Sequence, residues 1–149
     1  MKGICALLLG LAVVSCARKS PAEPVEGLPY AIATLSCGPT DKPVVVIYLT
    51  STPVELQQPV SPFMQVYLPD SFHELRRGRV YPVGNTIDDA MVTFHSSGLP
   101  ARMAQRGEVG VSSLANDEIR GFVDLVFAGG LKMRGSFIAP FQERQLSCV

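Results

Sequence analysis

Two alternating runs meet across Gly129-Gly130, and this stretch constrains the fold more than any other in the chain. Before it, Arg120 to Phe127 places Gly121, Val123, Leu125 and Phe127 on one parity and Asp124 on the other. After it, Leu131, Met133, Gly135, Phe137 and Ala139 alternate against Lys132, Arg134 and Ser136. Successive side chains of a strand point to opposite faces, so this period marks strands with one buried face. Paired glycines supply the positive φ values of a tight hairpin turn. The runs are therefore expected to pair as adjacent antiparallel strands. Leu125, Phe127, Leu131, Met133 and Phe137 should lie inside, with Lys132 and Arg134 in water. Gly121 and Gly135, at similar distances from the turn, mark a close approach or a sharp bend.

The rest of the chain reads in the same period. Tyr30–Cys37 alternates and predicts a strand, and Gly38-Pro39-Thr40-Asp41 turns the chain. Val44–Leu49 is β-branched and aromatic on both parities, which predicts a strand covered on both faces. Residues 53–62 are a polar, proline-bearing loop. Phe63–Leu68 is a further strand, stopped by Pro69. Ser71-Phe72-His73-Glu74 fits a capping box, and Gly78 suits a left-handed stop, so one short helical turn is expected near 72–77. Residues 79–83 form a short strand that Pro82 confines to an edge or to the strand's end. Residues 90–95 and 108–114 are strands, and 96–106 is loop. Seven or eight short strands imply an all-β domain. We expect a single antiparallel β-sandwich (Ig-like or transthyretin-like) or a flattened barrel.

The amino terminus carries information of another kind. Lys2 precedes an apolar run from Gly3 to Val14 rich in leucine. Its twelve residues fall short of the roughly 20 that a membrane-spanning helix needs. A positive start, a short apolar stretch and a small-residue exit mark a secretory signal peptide. The exit Val13-Val14-Ser15-Cys16 resembles the lipobox of bacterial lipoproteins. The resemblance implies cleavage between Ser15 and Cys16, a diacylglyceryl group on the Cys16 sulfur, and an acyl chain such as palmitate on the new amine. Residues 1–15 are then removed. Ala17, rather than aspartate, after the cysteine implies sorting to the outer membrane. Ordinary secretion with Cys16 as an incidental thiol is the alternative. One acyl chain, at about 0.8 kcal/mol per buried methylene, anchors only marginally, whereas two or three hold effectively permanently.

Residues 16–28 then form a lipidated tether, and 29–149 the β-domain. Arg18, Lys19, Ser20, Pro21, Glu23, Pro24, Glu26 and Gly27 offer almost nothing to bury. Fully extended, residues 17–28 reach at most about 40 Å, which keeps the domain near the bilayer. With Cys5 removed and Cys16 acylated, Cys37 and Cys148 remain. In an oxidising envelope compartment they read as one disulfide, with two free thiols as the alternative. That bridge closes a loop of about 110 residues, for which chain entropy gives at most roughly 4–5 kcal/mol.

A weaker resemblance touches both ends of the domain. Cys37-Gly38-Pro39-Thr40-Asp41 running into a hydrophobic strand is similar to a pattern in small uncharacterised bacterial lipoproteins. So is Arg120-Gly121-Phe122-Val123 answered by Met133-Arg134-Gly135-Ser136-Phe137-Ile138-Ala139. It implies a β-rich envelope domain and transfers no activity.

The chemistry-bearing residues are sparse. Lys+Arg and Asp+Glu are equal at 13 each, so no basic field points to nucleic acid. Neither Gly-x-Ser-x-Gly nor Ser-x-x-Lys occurs. His73 and His95 fall on different elements, and Asp88-Asp89 with Asp41 or Asp70 lacks EF-hand spacing. We expect no enzyme, no cofactor and no metal. Arg76, Arg77 and Arg79 read as a patch for an anion or partner, or as the solvated end of a helix. Tyr48, Tyr67 and Tyr81 mark either a binding face or core. The expected role is a non-enzymatic structural or interaction module of the bacterial cell envelope. It is held by membrane lipid through acylated Cys16 and contacts another envelope protein. The alternative is a ligand-binding or inhibitory lipoprotein, for example of a cell-wall hydrolase. A deep pocket with convergent polar groups favours the alternative, and a flat exposed apolar patch favours the first reading.

Overall fold

The computed structural model describes residues 23–38, 40–53, 59–143 and 148. The expected signal peptide (1–15), the cleavage and lipidation at Ser15 and Cys16, and the tether up to residue 22 lie outside the described residues. Eight strands follow in order: β1 (Tyr30–Cys37), β2 (Pro43–Thr50), β3 (Phe63–Leu68), β4 (Val80–Pro82), β5 (Met91–His95), β6 (Arg102–Ala115), β7 (Glu118–Phe127) and β8 (Lys132–Gln142). The described chain is all-β.

Hydrogen bonding runs β6-β5-β3-β2-β1-β8-β7 and returns from β7 to β6. Seven strands thus close a ring, and β4 pairs with β6 from outside it. Each ring strand has a partner on both sides, although β8 meets β1 only at its end. Two joints are thin. β1 and β8 run parallel and share only Ala33–Phe141 and Thr34–Gln142, while β5 and β6 share only Thr93–Met103 and Phe94–Arg102. The remaining joints are antiparallel ladders, the longest between β6 and β7. Pro82 ends β4, which pairs with β6 alone, as its proline predicts.

One parity of each ring strand fills the interior. Val45, Ile47 and Leu49 of β2 meet Met64, Val66 and Leu68 of β3 and Val123, Leu125 and Phe127 of β7 in one cluster. Val44 and Val46 on the other parity are buried too, so β2 is covered on both faces as its unbroken apolar run predicts. The β7–β8 hairpin forms in the expected register, with Leu125 opposite Met133 and Gly121 opposite Phe137. Leu125 and Phe127 are fully buried, Phe137 nearly so, and Lys132 and Arg134 face water. Gly129 and Gly130 take φ of 79° and 80°. Leu131 departs from expectation and is 38% exposed. The 3₁₀ turn Ala128–Gly130 delays the ladder until Lys132, so Leu131 only closes the turn, its carbonyl accepting from Phe127 N–H at 2.8 Å.

Three further differences have physical causes. β6 begins at Arg102 rather than near Glu108. Its register shifts between Ala104 and Arg106 and again between Val111 and Ser113, and such bulges break the alternation by which strands are read. The capping-box segment makes the single turn expected, Leu75 N–H donating to the Ser71 carbonyl at 3.1 Å, but its cap differs. Glu74 reaches back to the Ser71 amide (3.0 Å) as expected, but the Ser71 hydroxyl donates to the same carboxylate oxygen (2.8 Å) instead of capping Glu74 N–H. Residues 23–28 are not free tether. Ser136 N–H and hydroxyl both donate to the Glu23 carbonyl (2.7 and 3.1 Å), and Pro24 bridges Ser136 in parallel. Val25 and Leu28 are buried at 2% and 3% exposure. This approach requires Gly135, where a Cβ would overlap the Val25 backbone. Two apolar residues set among prolines and glutamates carry no period, so composition alone does not show them docking.

Candidate functional site

The turns at one end of the ring surround a pocket of about 630 Å³, inside the range of roughly 300–1,000 Å³ usual for small-molecule sites. Its floor is the end of the hydrophobic core. Leu35 comes from β1, Pro43 opens β2, Phe72 comes from the turn after β3, and Phe141 from the end of β8. The Phe72 and Phe141 rings stack with centroids 4.1 Å apart and planes at 22°. Such a pair presents both ring edges and apolar faces to an occupant.

Polar groups converge on this floor from four segments. Lys42 stands in the β1–β2 turn, His73 and Glu74 follow Phe72, Asp117 sits in the β6–β7 turn, and Glu143 follows β8. Asn116 and Asp117 take φ of 52° and 56°, the two successive positive values of a tight hairpin turn, for which Asn and Asp are suited. The Asp117 carbonyl accepts from Phe141 N–H at 2.6 Å, which fixes the end of β8 against that turn. The Ser71 amide, and then its hydroxyl, hold the Glu74 carboxyl below its ordinary value. Hydrogen bonds to the charged form of an acid favour that form. The Cys37–Cys148 disulfide forms beside the pocket with Cα atoms 5.6 Å apart, and Cys37 is the register partner of Pro43.

A second, smaller pocket of about 260 Å³ lies where residues 85–89 cover the outward parity of β2, β3 and β5 at Val44, Tyr67 and Met91. It is the less polar of the two, and Asp89 within it accepts from the Thr86 amide at 3.0 Å.

The arginine patch is only partly assembled. Arg79 pairs with Asp70 at 2.6 Å and lies over the Tyr81 ring at 4.7 Å. The Arg76 guanidinium donates to the carbonyls of His73 and Leu75 (3.1 and 3.3 Å). Arg77 is exposed. The three cations thus do not converge on one anion. Tyr81 is core, 1% exposed, and donates to Asp70 at 2.7 Å. Tyr48 and Tyr67 are half-buried on the outward face, where Gln65 donates to both hydroxyls (3.2 and 2.6 Å). Burial, and then neighbouring Tyr48, raise the Tyr67 hydroxyl above its usual range. His95 stacks on Phe63 at 4.3 Å, far along the chain from exposed His73. No group of three His, Cys, Asp or Glu placed to hold a metal ion occurs among the described residues.

Lys42, Phe141 and Glu143 carry no local motif, and sequence reasoning passed over them. Phe72 stood out only as part of the capping-box turn. The pocket exists because ring closure brings these turns to one end. No family model, curated protein or solved structure matches the chain.

Proposed function

We propose that this chain is a non-enzymatic lipoprotein of the bacterial outer membrane, anchored through acylated Cys16, that binds a ligand in the ring-end pocket. The observation that carries the binding role is the pocket itself: an apolar floor with polar groups converging from separate turns, the form that small-molecule sites take. The compartment is supported by the Val13-Val14-Ser15-Cys16 exit and by the pairing of Cys37 with Cys148, since disulfides persist in oxidising compartments. With residues 23–28 seated on β8, the stretch between Cys16 and the domain is residues 17–22. Six residues span at most about 20 Å, so the domain is kept close to the membrane.

The anchoring is tested on the full chain produced in a bacterium with two membranes. Intact mass should show an amino-terminal Cys16 bearing acyl chains in the outer-membrane fraction. Cys16→Ala should be unacylated, either soluble in the envelope or retained as uncut precursor. A mature amino terminus elsewhere, without acyl mass, overturns the assignment. The binding role is tested by a fragment screen on wild type and Phe141→Ala, read by the ring resonances of Phe72. Fragments that shift those resonances in the wild type and bind more weakly to the variant support it. A screen in which none perturbs the pocket counts against it.

A further inference from the structure

We infer that the ring-end pocket takes a small amphipathic cation: an amine or guanidinium carried on an aromatic or branched apolar body. This rests on the proposal that the pocket is a binding site, and adds the chemistry of its ligand. The floor selects the body. Leu35, Pro43 and the stacked Phe72–Phe141 pair offer hydrocarbon and ring surface with no charge among them. An apolar group seated there leaves water favourably, and rings meet ring edges and faces favourably.

The rim selects the charge. Among the described lining residues three carboxylates, Glu74, Asp117 and Glu143, face a single ammonium, Lys42, with His73 the remaining ionisable group. The chain as a whole balances 13 cations against 13 acids, so the acidic excess belongs to this mouth and not to the protein at large. Glu74 stays ionised because Ser71 donates to it twice. Lys42 lies near enough to act electrostatically on Glu74 and offsets part of that charge. Asp117 and Glu143 are the acids left to meet a ligand cation, from opposite sides of Phe141 in the chain. A cleft that is acidic at the mouth and apolar below concentrates cations and binds those with an apolar body.

The test uses three ligands that share one ring and differ in charge: tryptamine, neutral tryptophol and anionic indole-3-propionate. The protein has no tryptophan, so indole fluorescence reports the probe alone. Anisotropy is measured on the acylated mature protein in neutral detergent, with empty micelles as blank. The series reads the net potential of the mouth on a bound charge. Tryptamine should bind about fivefold tighter than tryptophol at low salt, near the upper end for exposed charge pairs, and propionate weakest. Added salt should narrow the gap. Asp117→Asn combined with Glu143→Gln should bring tryptamine to the tryptophol level and leave tryptophol unchanged, with an unaltered melting temperature showing the fold intact. Phe141→Ala should weaken all three. If tryptophol or propionate binds as tightly as tryptamine and the charge variants change nothing, the cation preference is wrong while the pocket remains a binding site. If no indole binds and the fragment screen also leaves the pocket untouched, both readings fall.

Discussion

Removing the Cys37–Cys148 bridge tests the energetics of the fold directly. The crosslink joins residues 111 apart, so all eight strands lie inside the loop it closes or form one of its ends. For a loop of that length the chain-entropy relation gives a loss of about 16 cal/mol/K from the unfolded ensemble, or roughly 4.8 kcal/mol at 25 °C. A described domain of some 120 residues has an unfolding entropy near 0.25 kcal/mol/K, so the melting temperature should fall by roughly 15–20 °C. Cys37 is exposed and Cys148 half-exposed, which opens the bond to reductant. The assay is thermal and urea unfolding by circular dichroism on the oxidised protein, the reduced protein and Cys148→Ser. Because the effect acts through the unfolded chain, the urea slope should also rise as that chain expands. A fall under about 4 °C in both reduced protein and variant, with an unchanged slope, would refute the loop-closure reasoning.

Two further perturbations probe the packing around the ring. Tyr81→Phe removes the buried hydroxyl donated to Asp70 and should cost about 1.5–3 kcal/mol, the range for hydrogen bonds to charged groups; urea unfolding measures it. Burial first, then the hydrogen bond to Asp70, raise the folded Tyr81 hydroxyl well above its ordinary 10.0. The unfolded chain therefore ionises first, and the stability this group contributes is present below pH 10 and lost above it. Tyr81→Phe should flatten that alkaline loss, and identical alkaline profiles would contradict the assignment. Gly135→Ala forces a methyl against the Val25 backbone and should cost about 1–3 kcal/mol as overpacking. In a cycle with Val25→Ala the two should be non-additive, and simple additivity would mean that residues 23–28 do not dock there.

How much of this was legible depends on what each residue contacts. The β7–β8 hairpin could be read from Val123, Leu125 and Phe127 against Lys132 and Arg134, because its contacts are local and its register follows from burial. β1 and β3 were readable to the residue, since each is bounded by turn-forming or proline residues. β6 was half lost, because bulges shift which side chains point inward. The seat of Val25 and Leu28 was hidden for another reason: a pair of apolar residues has no period, and the close approach at Val25 is to Gly135, more than a hundred residues away.

The pocket is the extreme case of that non-locality, and it shares its cause with the disulfide. Ring closure depends on β1 meeting β8, and this joint has only two residue pairs, Ala33–Phe141 and Thr34–Gln142. A parallel contact that short contributes little cooperative hydrogen bonding, so the joint needs support from beyond the ladder. Cys37 lies three residues past Thr34 and Cys148 six past Gln142, which places a covalent bond across the chain ends leaving one of the two thin joints of the ring. Phe141 and Glu143 belong to that same stretch of chain, with Asp117 gripping Phe141 from the neighbouring turn. The disulfide thus ties the chain near one wall of the pocket to the end of β1. Cysteine count and compartment could indicate that the bridge forms, while only the path of β8 could show that it frames a site.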